Sequence, residues 1–271
     1  MTKTPDSAAI FSGGLDSTTL VYHMEAEGLT PHLISFDYGQ RHRKELEYAQ
    51  VTARRLSLVH DIVDLSGLTH LISNSALTAP NINADGDDDS EGRWKAIEVP
   101  EGHYAEDNMK QTVVPNRNMI MLSIAAGIAV NNGYGTLGTG VHAGDHFVYP
   151  DCRPLFIQAC SMTIQLGNEG FGAFGEYDPS QAFIYAPFIE RSKADIAARA
   201  IELEVPFELT WSCYKGGYNH CGKCGTCVER LEAIAEAQGR LDRHQIAAGV
   251  GLDKTDYDDT NFWRYAVASG K

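Results

Sequence analysis

Ala8-Ala9-Ile10-Phe11-Ser12-Gly13-Gly14-Leu15-Asp16-Ser17 is the stretch from which the rest of this chain is read. Ala8 to Phe11 is apolar without alternation, the pattern of a parallel strand buried on both faces. Gly13 and Gly14 permit positive φ angles and admit a ligand to bare backbone. Residues 18–27 then read as an amphipathic helix capped by Asp16 or Ser17. Leu20, Val21 and Met24 form its core side and Gly28 its stop. Strand, glycine turn and helix in that order aim backbone N–H groups and the positive helix end at a turn lined by Ser12, Ser17 and Thr18. Such a turn holds an anion, with phosphate the expected one. It is neither a Walker loop, since no lysine follows Gly14 at the required place, nor a dinucleotide fingerprint, since the spacing and third glycine are missing.

Working outward, the 271 residues are 43% hydrophobic, enough for one sizeable core and a small appendage. A net charge of -14 argues against clamping a nucleic-acid backbone. No run is read as long enough for a bilayer span, and Met1 to Ser7 lacks the apolar region of a secretory signal. The expectation is a soluble cytoplasmic protein with no direct nucleic-acid or membrane partner. In a reducing compartment its clustered cysteines point to metal rather than disulfides.

Further strands are expected at 32–36, 60–65, 136–141 and 182–186. Helices are expected at 43–56, from Asn116 or Asn118 as cap to about 130, at 154–166 with Pro154 leading, and from the Ser192/Asp195 capping-box pair to 203. That alternation predicts an α/β fold with a doubly wound, mainly parallel five-stranded sheet. Ligands in such sheets sit beyond the carboxyl ends of strands, so the loop Asp37-Tyr38-Gly39-Gln40-Arg41-His42 belongs on the same rim as the glycine turn. Residues 78–111 are acidic and poor in apolar side chains, and read as a mobile solvated insertion. Asp85-Gly86-Asp87-Asp88-Asp89 within it is not a calcium loop, because Ser90 and Ala96 stand where glycine and glutamate are required.

Cys213, Cys221, Cys224 and Cys227, with glycines between them, have the spacing of a metal knuckle. Four thiolates suit tetrahedral Zn²⁺. A four-iron cluster is the competitor, disfavoured because the ferredoxin Cys-Pro ending is absent. A closed four-cysteine site braces a fold and does no chemistry. Cys152 and Cys160 read as buried or substrate-side thiols. His142, Asp145 and His146 read as hydrogen-bonding loop residues, with a second metal site the other reading.

Ser12-Gly-Gly-Leu-Asp-Ser17 after the first strand resembles the pyrophosphate-binding loop of the N-type ATP pyrophosphatases, the PP-loop superfamily. Together with Phe36-Asp-Tyr-Gly-Gln-Arg-His42, Val114-Pro-Asn-Arg-Asn118, Thr139-Gly-Val141, Tyr149-Pro-Asp-Cys-Arg153, Lys193-Ala-Asp195 and the four cysteines, it is similar to the 7-cyano-7-deazaguanine synthase family over about residues 8–234. Many family members have glycine where Asn116 stands, and asparagine tolerates left-handed backbone better than most residues.

The resemblance implies an ATP-dependent ligase that converts 7-carboxy-7-deazaguanine and ammonia to the nitrile through an adenylated carboxylate and an adenylated amide. It implies ATP along Phe11, Ser12, Gly13, Gly14, Leu15, Asp16, Ser17, Thr18, Thr19, Leu20 and Val21, with Asp16 and Lys193 catalytic and Mg²⁺ at Asp16. Substrate would lie against Arg117, Asn118, Asp145, Tyr149, Asp151 and Arg153, Zn²⁺ on Cys213, Cys221, Cys224 and Cys227, and the chain would form a homodimer. Its expected divisions are a nucleotide-binding domain 1–208, a zinc-binding subdomain 209–240 and an extension 241–271. The rivals are a PP-loop enzyme that thiolates tRNA, which this acidic chain does not announce, and a zinc-knuckle binding module on a vestigial nucleotide fold.

Overall fold

A computed structural model describes residues 2–40, 43–67, 75–77, 98–105, 109–242, 244–245 and 249–269. Most of the expected acidic insertion, with Arg41 and His42, lies outside the described residues.

The sheet is built from β1 (Ser7–Ile10), β2 (Pro31–Asp37), β3 (His60–Asp64), β4 (Leu137–Gly138) and β5 (Ile184–Tyr185). Its order is β3-β2-β1-β4-β5, and every pairing is parallel. Successive strand residues point to opposite faces, and the two layers follow from that. Ala8, Ile34 and Leu137 pack with Leu122 and Ala125 of α3 (Arg117–Asn131) and Ile157 and Cys160 of α4 (Pro154–Gly167). Ala9 and Leu33 pack against Leu20, Val21 and Met24 of α1 (Leu15–Ala26), Ala49 and Ala53 of α2 (Lys44–Leu56), and Ile196 of α5 (Lys193–Glu202). Leu20, Val21 and Met24 are fully buried, each contributing about 1.5–3 kcal/mol of transfer free energy.

The chain winds from β1 toward β3 on one side and toward β5 on the other. The reversal falls between β1 and β4, where a doubly wound sheet opens its ligand crevice. β4 and β5 are two residues each, far shorter than expected, and the residues after β4, Thr139 to Val141, line that crevice.

Neither Asp16 nor Ser17 caps α1. Gly14 is its N-cap, with extended backbone and no side-chain hydrogen bond, and both residues lie inside the first turn. Asn116 does occupy the N-cap of α3, at φ 60°, a left-handed conformation that asparagine tolerates better than most residues. Its side chain caps nothing. The α3 end is held instead by the Asp151 carboxylate, which accepts from Asn118 N–H at 3.1 Å. Ser192 and Asp195 form a complete capping box on α5.

Lys110–Asn131 is, by length and composition alone, apolar enough to cross a membrane. The α3 helix within it is only 15 residues, short of the ~20 a bilayer needs. It packs on β1, β4 and α4, as a core helix does.

The C-terminal part is not set apart from the sheet. α6 (Gly225–Gly239) places Ala233, Ile234 and Ala237 in one apolar cluster with Leu15, Ala197 and Ile201. α7 (Phe262–Ser269) packs on α6 in turn. The described end of the insertion is also less solvated than expected: Tyr104 and Met109 are buried, and Glu101 bridges to Cys224.

Candidate active site

Gly13 explains why the phosphate-loop word begins as it does. Its φ is +82°, and a Cβ there would stand 2.5 Å from Glu45 O and 2.7 Å from Ala49 N. Only glycine lets α2 press against the turn. The hydroxyls are knitted together locally: Ser17 Oγ accepts from Ser12 N–H at 3.2 Å, and the two Oγ atoms lie 3.1 Å apart. The turn is braced from behind by Trp211, whose backbone N–H donates to Gly13 O at 2.9 Å. Arg230, fully buried on α6, fixes that brace. Its guanidinium donates to Thr210 Oγ1 at 2.6 Å, Phe207 O at 2.8 Å and, in the C-terminal extension, Thr255 Oγ1 at 3.0 Å and Tyr257 OH at 2.9 Å.

In front of the turn is a cavity of about 240 Å³, bounded by the carboxyl ends of β1 and β4. Lys193, leading α5, donates to Asp16 Oδ2 at 2.5 Å, and its Nζ lies 3.5 Å from Glu229 Oε2. His142 Nδ1 accepts from Gly144 N–H at 3.1 Å, so the neutral ring carries its proton on Nε2. That nitrogen is 3.7 Å from Asp16 Oδ2 and 3.5 Å from Asp145 Oδ2. Tyr104 OH donates to Asp145 Oδ1 at 2.8 Å. Burial opposes the Asp16 charge, but Lys193 and His142 overcome it and hold the carboxyl below its ordinary range. For Glu229 burial prevails over Lys193 and the group is pushed up. Burial also opposes the charge on Lys193, yet Asp16, Glu229 and Asp145 hold it above its ordinary range.

Two buried polar atoms at the turn, Asp16 Oδ1 and Thr18 Oγ1, have no hydrogen-bond partner. An orphaned carboxylate oxygen suits a cation and an orphaned hydroxyl suits an anion's oxygen.

The residues expected for ATP divide by position. Phe11, Ser12, Gly14, Leu15, Asp16 and Ser17 line the cavity. Gly13, Thr18, Thr19, Leu20 and Val21 do not: Thr19 Oγ1 donates to Leu15 O at 2.7 Å within its helix, and Leu20 and Val21 are core. Of the residues expected for substrate, Arg117, Asn118, Asp145 and Tyr149 line the cavity. Asp151 is occupied at the start of α3, and Arg153 turns away to donate to His146 O at 2.8 Å. Asp151 and Arg153 are not among the residues that line the cavity. Sequence reasoning missed Glu45, Tyr104, Trp211, Tyr214 and Glu229 as cavity residues. For Glu229 a signal existed, two residues beyond Cys227 on a helix the metal would anchor.

The sulfur atoms of Cys213, Cys221, Cys224 and Cys227 all lie within 4.8 Å of one another, and Cys221 and Cys227 Sγ are 3.9 Å apart. Tetrahedral zinc with Zn–S near 2.3 Å requires about 3.8 Å between sulfurs. Hydrogen bonding from the other three thiols, Cys213 first, holds Cys221 far below the ordinary thiol range. Backbone N–H groups of Lys223 and Cys224 also donate to it, at 3.4 and 3.2 Å. The donor set fits a metal. Among the described residues this is the group that does, and His142, Asp145 and His146 do not form a second one. Cys152 and Cys160 are both buried, and Cys152 lines the cavity.

Residues 6–238 match the family described as queuosine biosynthesis protein QueC. The chain is 46% identical over 259 residues to a 7-cyano-7-deazaguanine synthase of Paracoccus denitrificans, covering 96% of each chain. It is 46% identical over 260 residues to one of Rhizobium meliloti, covering 96% of this chain and 95% of that one. Among solved structures, NMN synthetase from Francisella tularensis aligns over 96% of this chain and 84% of that one, at 10% identity and a TM-score of 0.43, too loose to bear on function. With the family matched over most of its length and close relatives covered nearly end to end, the chain belongs to the QueC family of queuosine biosynthesis proteins.

Proposed function

We propose that this protein is an ATP-dependent ligase converting 7-carboxy-7-deazaguanine and ammonia to 7-cyano-7-deazaguanine. The observation that carries the reading is the placing of Lys193 and Asp16 at the open side of the Gly13-Gly14 turn, inside one cavity, in a chain 46% identical to proteins of that name.

A carboxylate is a poor electrophile, and its oxygen a poor leaving group. Attack of that oxygen on the α-phosphorus of ATP expels pyrophosphate and leaves an acyl adenylate. Ammonia then displaces AMP to give the amide. A second adenylation, on the amide oxygen, lets that oxygen depart with AMP as the C–N triple bond forms. Negative charge grows on phosphate oxygens at each adenylation, so donors aimed at them carry the catalysis. Ser12, Ser17, Thr18 and the backbone of Gly14 would hold the phosphates, and Lys193 would exchange its bond to Asp16 for one to the departing pyrophosphate. Asp16 would hold Mg²⁺, for which its orphaned Oδ1 is suited. That ion supplies charge neutralisation at the phosphates when bound. Arg117, Asn118, Asp145 and Tyr149 would face the substrate. Zn²⁺ on the four cysteines would brace α6, which carries Glu229 and Arg230.

A cytoplasmic homodimer completes the proposal. Leu155, Met162 and Leu166 stand exposed along one side of α4, a surface suited to a second copy. Incubation with ATP, ammonium and 7-carboxy-7-deazaguanine tests the reading. AMP, pyrophosphate and the nitrile should all appear, and an enzyme forming none of them would overturn it.

A further inference from the structure

The polar side chains of the cavity differ in what they have left to offer a ligand. Gln40 spends its amide on the backbone, donating to Phe36 O at 3.1 Å and accepting from Tyr38 N–H at 2.9 Å. Asn118 donates to Asp151 O and Cys152 Sγ. Tyr149 OH is paired with Thr112 Oγ1 at 2.5 Å. Arg117 hydrogen-bonds the Tyr38 side chain. Glu45 stands apart. It lines the cavity, and its carboxyl has no hydrogen-bond partner among the described residues. Burial pushes it up to about 8, with Arg117 the opposing charge.

A half-buried carboxyl that lines a cavity with no partner of its own among the described residues is open to a ligand that brings donors. Two carboxylate oxygens match a planar edge with two adjacent, parallel N–H donors. A 2-amino-4-oxopyrimidine ring offers that edge, through its ring N–H and exocyclic amino group. Adenine does not, since its ring nitrogen at that place is an acceptor and would meet the ionised carboxylate lone pair to lone pair. The ionised Glu45 is therefore poorly matched to the adenine of ATP, and accepting the two-donor edge releases the proton that the ligand-free carboxyl holds below about 8. Its position is rigid as well, because it sits in the first turn of α2, whose backbone abuts Gly13. A reader of the heterocycle fixed to the same helix that touches the phosphate turn would set the distance between substrate and nucleotide.

We propose that Glu45 is the specificity residue for the substrate's heterocycle, its carboxylate accepting from the ring N–H and the 2-amino group. This rests on the ligase reading above for the identity of the heterocycle.

The test separates binding from turnover. Calorimetry without ATP measures the dissociation constants of 7-carboxy-7-deazaguanine and its 2-deamino analogue for the parent, Glu45→Gln and Glu45→Ala. Thermal melts establish that each variant is folded. The parent should prefer the amino compound by on the order of 10²-fold or more, as sites built around a hydrogen bond do. Glu45→Gln and Glu45→Ala should bind it at least about tenfold more weakly and reduce the preference to a few-fold. The KM for ATP in pyrophosphate release should stay within about twofold of the parent, because a residue that reads one ligand leaves the other's binding unchanged. A variant that keeps the parent's preference, a parent that shows none, or a loss confined to ATP would each overturn the assignment. Absence of turnover in a parent that does bind selectively would instead remove the ligase reading and leave Glu45 as the reader of the edge.

Discussion

Asp16 and Lys193 are 177 residues apart in sequence, yet the lysine ammonium donates to the aspartate's Oδ2 at 2.5 Å. The two charges neutralise each other. ATP would give the lysine a phosphate oxygen and leave the carboxylate for a cation. Lys193→Ala should therefore lower the rate of pyrophosphate release by about 10²–10³-fold, the usual cost of losing one charge-stabilising donor. Lys193→Arg should recover only part, since a planar fork does not replace a point charge. A Lys193→Ala protein releasing pyrophosphate at the parent rate would remove the residue from the chemistry.

Gly13 offers a sharper structural test. Adding one methyl group there drives a Cβ into the backbone of Glu45 and Ala49 at a φ of +82°. Neither atom can rotate away. Gly13→Ala should cost about 1–3 kcal/mol in stability, visible as a lower midpoint in urea, and should weaken ATP binding through the displaced turn. Unchanged urea midpoint and ATP affinity would mean that α2 and the turn are not in register.

Metal analysis is expected to find one zinc per chain at the four cysteines. Chelation should lower the melting temperature by several degrees and abolish activity, because Cys224 is the N-cap of α6, which carries both Glu229 and the Arg230 brace. Retention of full activity by demonstrably zinc-free protein would contradict a bracing role.

Glu45 also makes a prediction about pH. Its native carboxyl is raised to about 8 from an ordinary value of 4.5, so between those values the unfolded chain is ionised while the native one holds its proton. The unfolded state binds fewer protons there, and stability must fall as pH rises. The group's contribution is complete below about 4.5 and lost as pH rises through about 8. Thermal melts of ligand-free parent and Glu45→Gln should thus diverge between these values, the variant gaining on the parent, and run parallel above. Parallel curves across the whole range would show that Glu45 is not desolvated.

The exposed Leu155, Met162 and Leu166 bear on assembly. Light scattering should give twice the chain mass, and Leu155→Glu with Met162→Glu should give monomers. A parent that is monomeric at all accessible concentrations would remove the homodimer.

Much of this molecule was legible locally. Ser12 to Ser17, the Ser192/Asp195 capping box and the cysteine spacing act within a few residues, through hydrogen-bond reach and backbone conformation, and sequence patterns record such constraints directly. The unbroken apolar runs told of a parallel sheet buried on both faces. Even Asn116 was readable, because few residues accept its backbone angle.

Other features depended on which loops meet. Nothing near Glu45, Tyr104 or Trp211 in sequence marks them as neighbours of the phosphate turn. They converge because parallel crossovers carry distant segments to one rim of the sheet, and that rim is defined only once the strands pair. The same cause gives Asp151 and Arg153 partners of their own: one accepts at the start of α3, the other donates to the His146 carbonyl. Sequence by itself therefore determined the strand, the turn and the cysteine cluster, whose forces are short in range. Tertiary structure alone decided which charges share the cavity, because burial and long-range pairing exist only in the folded chain.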